Sequence, residues 1–382
     1  MNRFAAALSE HPVPAHAVGE AAGEVMETLG GDDPDLVVCF ASPHFVGALD
    51  DVALALGNLL SPRVAIGASA IAVIGGPHEV EHGPALSVFA AKLPDATLTP
   101  VRLATTRGPD GITIDGLPDA GDAFGTLFLV ADPFTFPLDG CLRALEEVAP
   151  HVQVVGGAAS AAAGPGGNRL LFDGEVHDQG AVGVLVQGTP VRAVVSQGCR
   201  PVGAPLTVTR AQGTMVQQLA GTDALERLQE CAAVATDEDR FLMGMGLQLG
   251  IVVDEHQLDF GPGDFLVRAV TGADPSTGSL RVGDVVEVGR TVQFHVRDAT
   301  AADDDLRALL AGVDPSEARA ALVFSCNARG ERFFGLPSHD AGVIDQLLGP
   351  LPTAGMFCAG ELGPVGGRSF VHTFTASMAL FG

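Results

Sequence analysis

Three times along this chain a helix-forming stretch stops at a proline, and each time an apolar run follows and reaches a glycine. Ser61-Pro62 leads into Val64-Ala65-Ile66-Gly67, Ala149-Pro150 into Val152-Gln153-Val154-Val155-Gly156, and Gly349-Pro350 into Gly355-Met356-Phe357-Cys358-Ala359-Gly360. Proline cannot donate the next amide of a helix, so each marks a helix end, and the apolar run after it reads as a buried strand. A strand, helix and strand in succession form parallel neighbours joined by a right-handed crossover. That recurrence restricts the chain to an α/β fold.

The unit around each proline can be filled in. The first copy opens with a strand at Leu36-Val37-Val38-Cys39-Phe40-Ala41, followed by a helix with Val52, Leu56, Leu59 and Leu60 on one face. After the second strand comes a glycine loop at Gly75-Gly76-Pro77 and a return strand at Leu86-Ser87-Val88-Phe89-Ala90-Ala91. The second copy has a strand from Thr126, a helix with Leu138, Leu142, Leu145 and Val148 on one face, the loop Gly164-Pro165-Gly166-Gly167 and a return strand from Ala181. The third has Ala321-Leu322-Val323-Phe324-Ser325-Cys326, a helix bearing Val343, Ile344, Leu347 and Leu348, and a loop from Gly360 to Gly367. The expectation is an α/β protein of two domains, with mixed sheets built from repeated β-α-β-β units and covered by helices.

Between the second and third copies, residues 191–310 read as further strands. Thr222 is placed as the cap of a helix through Glu230, and Thr300 as the start of a helix that Asp303, Asp304 and Asp305 favour. Thr291-Val292-Gln293-Phe294-His295-Val296 alternates, which puts His295 on a polar face. Residues 1–32 are expected to be a terminal helix or arm, and the boundary between the domains (33–221 and 222–382) is placed at Gly221.

Charge narrows the partners. The 382 residues carry 46 acidic against 21 basic side chains, a net charge of -25, and such a field repels nucleic acid and anionic lipid. No apolar run spans a bilayer, so the protein is expected to be soluble and cytoplasmic. Lys92 is the single lysine, and no Gly-Lys-Ser/Thr phosphate loop exists. The six cysteines lie apart without a CxxC pair, the pattern of reduced thiols.

His78-Glu79-Val80-Glu81-His82 matches the HExxH pattern of zinc proteases, which works because both histidines share one face of a helix. Glycine and proline flank it closely on both sides, so a solvated loop is expected there instead. Among nucleophiles no GxSxG elbow occurs, while Cys326 and Cys358 stand at strand ends in the company of His339 or His372. The favoured pair is Glu361 and Arg368, at opposite ends of the third glycine loop. Such a pair suits a zwitterion, with Arg taking a carboxylate and Glu an ammonium, and Arg329 and Ser325 would complete the pocket.

Phe324-Ser325-Cys326-Asn327-Ala328-Arg329-Gly330, Gly360-Glu361-Leu362-Gly363-Pro364-Val365-Gly366-Gly367 and Phe370-Val371-His372-Thr373-Phe374-Thr375-Ala376-Ser377 together resemble the C-terminal part of FIST-domain proteins. Ile66-Gly67-Ala68-Ser69 with Gly75-Gly76 is similar to the N-terminal part, although Ala68-Ser69 stands where the family often has Cys followed by Ser or Thr. The resemblance implies a sensory module of signal transduction that binds a small ligand, with amino acids as proposed ligands. Ser69 and His372 join the expected ligand-binding residues on that basis. Binding without catalysis is the expectation, and because no kinase, cyclase or methyl-accepting segment is read in this sequence, output is expected from a separate signalling protein unless this member does something else. A rival the resemblance suggests is a haem-binding gas sensor using His372, His82 or His44, and another is an enzyme with a Cys or metal centre.

Overall fold

A computed structural model of the protein describes every residue except Pro109, Asp110, Leu258 and Pro262. The chain divides into two compact units. One comprises Met1–Val195, Leu306–Val371 and Thr375–Gly382, and the other Ser196–Asp305 with His372–Phe374. Gly221, where the sequence suggests a boundary, lies inside the second unit. It has positive φ between two short paired strands, a turn conformation that glycine takes without strain.

The first unit holds all three copies. In the first, β1 (Arg3–Ser9) and α1 (Pro14–Thr28) precede β2 (Leu36–Ala41), α2 (Leu49–Leu60), β3 (Val64–Ser69), a hairpin of β4 (Val73–Gly75) and β5 (His78–Val80), and the return strand β6 (Leu86–Lys92). Residues 1–32 are thus a strand and a helix built into the first sheet, because β1 pairs with β6 along its full length. The second copy has a hairpin of β7 (Thr97–Gly108) and β8 (Gly111–Asp115), then β9 (Gly125–Ala131), α3 (Leu138–Val148), β10 (Val152–Ala158), a hairpin of β11 (Leu170–Phe172) and β12 (Glu175–His177), and β13 (Ala181–Gln187). The third, preceded by β14 (Val191–Gln197), has β22 (Ala320–Cys326), the short α7 (Glu331–Phe334), α8 (His339–Leu348), β23 (Thr353–Cys358), a hairpin of β24 (Glu361–Val365) and β25 (Arg368–His372), and β26 (Thr375–Phe381).

The three sheets share one order: a preceding strand, the return strand, the first strand, the second strand and a hairpin. In each, the first and second strands are parallel. The hairpin at the end of each sheet comes from a different copy. The β11–β12 hairpin completes the first sheet, β24–β25 the second and β4–β5 the third. The glycine tracts expected as loops therefore lead into or form paired hairpins. At Gly366-Gly367 both residues have positive φ, as a two-residue hairpin turn needs.

Glycine recurs at the same place in each second strand for a steric reason. A Cβ at Gly67 would sit 2.1 Å from the Cys39 carbonyl oxygen, at Gly156 1.9 Å from that of Leu129, and at Gly355 2.2 Å from that of Val323. Each of these carbonyls belongs to the residue in register on the first strand of the same copy.

The inner faces of the three sheets meet in one apolar core. Phe381 stacks on Phe89 and Phe128, and Phe40 meets Phe324 edge to face. Outer faces are covered by helices, α1 and α2 on the first sheet, α3 on the second and α8 on the third. The helical faces read from the sequence are the buried ones, except that Leu59 and Val148, at the C-terminal ends of α2 and α3, are exposed and Leu347 of α8 is half-buried.

In the second unit, β15 (Cys199–Gln212), β16 (Met215–Leu219), β18 (Leu247–Val252), β19 (Phe265–Asp274), β20 (Ser279–Val282) and β21 (Thr291–Arg297) run in the order β15-β21-β18-β19-β20-β16, and β15 also pairs with β16. Thr222 lies in β17 (Thr222–Asp223), and the helix α4 (Ala224–Val234) begins after Asp223. Asp298, whose carboxylate accepts the amides of Thr300 and Ala301, starts α6 (Ala299–Ala311), displacing Thr300 from that role. His295 is buried, not on a polar face: its ring packs edge-on against Phe265 at 4.8 Å, and burial lowers its pKa to about 4. Alternation failed as a guide because residues on both faces of the central part of β21 are covered.

Candidate functional site

The C-terminal ends of β22 and β23 carry a cluster of buried charged side chains, at the end of parallel strands where open α/β sheets bind their ligands. Arg329 follows β22, and its amide closes a turn onto the Cys326 carbonyl. Asp340 lies in the first turn of α8, where the helix dipole favours a carboxylate. The two form a bidentate pair, Nε to Oδ2 at 2.8 Å and Nη2 to Oδ1 at 2.9 Å, both side chains being almost wholly buried. Ser325 Oγ also donates to Asp340 Oδ2 at 2.8 Å, and His339 Nδ1 lies 3.0 Å from Oδ1. Phe334 closes the cluster, stacked on His339 and beneath the Arg329 guanidinium.

Burial alone would raise the Asp340 pKa, but the Arg329 charge and the hydrogen bonds from His339 and Arg329 outweigh it and hold the carboxyl well below its ordinary range. Glu361 behaves oppositely. Burial pushes it up to about 8 despite hydrogen bonds from the Thr375 amide and hydroxyl to Oε2 and one from the Cys326 thiol, with the Arg329 charge also pulling it down. At neutral pH it is therefore largely a neutral acid. Its other oxygen, Oε1, and Nη1 of Arg329 are both buried without a hydrogen-bond partner. Cys358 stands in register with Cys326, and burial, followed by the charges of Glu361 and Cys326, raises its thiol pKa well above the usual value. Gly157, paired with Glu361 across the sheet, makes room for that thiol: a Cβ there would lie 2.3 Å from Cys358 Sγ.

The HExxH stretch contributes to the same region without metal geometry. His78–Val80 is strand β5, so its histidines lack the helical spacing of a zincin. Nor is it a solvated loop. Glu79 Oε1 accepts the Ala341 amide at 2.9 Å, and Glu81 Oε1 accepts the Glu331 amide at 2.6 Å, pinning the hairpin to the starts of α8 and α7. Glu79 as a residue is only partly buried, but its carboxyl is enclosed, and burial followed by the Asp340 charge pushes it up to about 8. Among the described residues no group of three or more His, Cys, Asp or Glu could hold a metal ion.

Of the expected ligand residues, the fold gathers Ser325, Arg329 and Glu361. Arg368 is elsewhere, exposed at the start of β25 and paired with Glu146, its Nε 2.6 Å from Oε1. The two-residue turn sends the ends of the tract along opposite strands, so Glu361 points into the interior while Arg368 faces water. Ser69 is buried at the end of β3, where its hydroxyl accepts the Arg169 amide, a brace between the first and second copies. His372 is buried and groups with the second unit. Asp340 escaped sequence reading, and Glu79 was read only as part of the HExxH stretch. The signal available for Asp340 was an acid at a helix start, and for Glu79 a carboxylate beside a hairpin turn.

Of the histidines named for haem, His44 and His82 are exposed and His372 is buried.

The FIST N domain matches residues 35–222 and the FIST C domain residues 224–364. A protein of Mycobacterium tuberculosis, described as uncharacterised, is 42% identical over 99% of this chain and 99% of its own length. One of Mycobacterium bovis, described likewise, is 41% identical over 99% of this chain and 98% of its own. Among the described residues no helix is long and apolar enough to cross a membrane. With both domains matched in order over nearly all of its length, the chain belongs to the FIST family of signal-transduction proteins.

Proposed function

We propose that the protein is a sensory component that binds a small zwitterion of the amino-acid class at Arg329 and Glu361, without turning it over, and signals through a separate protein. One observation carries this reading: a buried guanidinium N–H and a buried carboxyl oxygen in one cluster both lack partners. An unsatisfied buried polar group costs about 1–3 kcal/mol, so a ligand that satisfies both gains what the apo protein forgoes. The ligand carboxylate adds to Arg329 Nη1, and its ammonium takes Glu361 Oε1. Glu361, neutral beforehand, ionises on meeting the ammonium and releases a proton.

The test is a thermal-shift screen of amino acids, with matched carboxylic acids and amines as controls. A true ligand at a hundred times its Kd adds about 2.7 kcal/mol of stability. Glu361→Gln keeps the shape but not the charge, and should abolish that gain without lowering the apo melting temperature. Equal stabilisation of the variant, or no stabilisation by any zwitterion, overturns the proposal.

A further inference from the structure

The first unit has a cavity of about 400 Å³ at the opposite, N-terminal ends of β9 and β10, lined by Phe124, His151 and Gln153 with Pro150, Pro190 and Pro364. None of its lining residues carries a formal charge at neutral pH with histidine neutral, in a protein of net charge -25. Phe124 is 80% exposed, and its ring lies 5.3 Å from that of His151. The loop before it is held in place, since Gln187 Nε2 donates to the carbonyls of Ala120 and Ala123 at 3.1 Å each. An aromatic ring displayed on a braced loop above a proline-walled hollow offers a stacking surface for a flat ligand.

Polarity narrows the ligand further. Gln153 spends its amide hydrogens on Thr126 Oγ1 at 2.8 Å and the Val191 carbonyl at 2.9 Å, so the remaining polar atom of this pocket-lining side chain is its Oε1, an acceptor. We propose that this cavity is a second binding site, for a neutral planar heteroaromatic ligand with a ring N–H donor, of the indole type. The ring stacks on Phe124 and the N–H donates to Gln153 Oε1.

Because the chain has no Trp and no Tyr, added indole can be followed by its own fluorescence without protein background. Titrating the full-length protein into indole should give a saturable rise in anisotropy and a blue shift of emission. N-methylindole, lacking the donor, should bind more weakly. Phe124→Leu keeps an apolar side chain but removes the ring, and should weaken indole about tenfold, the upper range for an aromatic pair. His151→Ala is a second variant should the first fail to fold. Glu361→Gln should bind indole as wild type does, which separates this site from the one at Arg329. The proposal is overturned by the absence of saturable binding at millimolar protein, by wild-type affinity in Phe124→Leu, or by loss of indole binding in Glu361→Gln.

Discussion

Arg329 and Asp340 make a two-point ion pair in the interior of the first unit, 2.8 and 2.9 Å across its two bonds, and Ser325 and His339 crowd the same carboxylate. The pair leaves one guanidinium nitrogen unsatisfied. It therefore serves two ends, holding the turn after β22 against α8 and presenting a charged donor to the neighbourhood of Glu361.

Breaking that pair from one side strands a charge in the core. Asp340→Asn should lose about 3–5 kcal/mol of stability by denaturant unfolding. The Asp340 pKa is depressed in the folded protein, so its contribution is present above the unfolded value of about 3.9 and is lost as pH falls below it. The destabilisation by Asp340→Asn should accordingly shrink in acid.

Glu361 gives the opposite slope. Its carboxyl titrates at about 8 when folded, against about 4.3 for a free glutamate. Between those values the folded protein keeps a proton that the unfolded chain has lost, so stability falls as pH rises through that window. Glu361→Gln should flatten the decline, leaving the remainder to Glu79, and should be more stable than wild type at pH 8 and above by about 1 kcal/mol or more. A urea midpoint series across pH measures it.

Ligand binding should show the same ionisation. At pH 6–7 calorimetry in buffers of different protonation enthalpy should report close to one proton released per amino acid bound, and affinity should rise with pH up to about 8. Binding without proton release would mean that the ammonium does not meet Glu361.

Gly355→Ala places a methyl group 2.2 Å from a backbone carbonyl that cannot move without tearing β22 from β23. A loss of at least about 3 kcal/mol, or failure to fold, is expected. Gly67→Ala and Gly156→Ala should behave alike, since they meet the same obstacle in their own sheets.

Arg368→Ala, by contrast, removes a surface ion pair with Glu146 and should cost under about 1 kcal/mol. Amino-acid stabilisation should be unaffected, and its loss would return Arg368 to the site.

Local chemistry was enough to read the units themselves. Pro62, Pro150 and Pro350 ended helices because no amide was available, and unbroken apolar runs became strands buried on both faces. The glycines of the second strands were visible as a pattern, although the carbonyls that demand them were not. Within the candidate site, Ser325, Arg329 and Glu361 were legible because they flank strand ends in sequence.

What no local reading supplies is which edge a hairpin will pair with. Each sheet is completed by a hairpin from another copy, and that exchange is set by long-range backbone pairing and a shared phenylalanine core. It brought Glu79 of the first copy to Asp340 of the third, and it turned Arg368 outward towards Glu146 while burying Glu361. Sequence determined the pieces, because capping, chain breaking and apolar periodicity act over a few residues. Tertiary structure alone decided the company the charges keep, because burial depends on the whole packed core, and partners such as Glu146 for Arg368 lie hundreds of positions away.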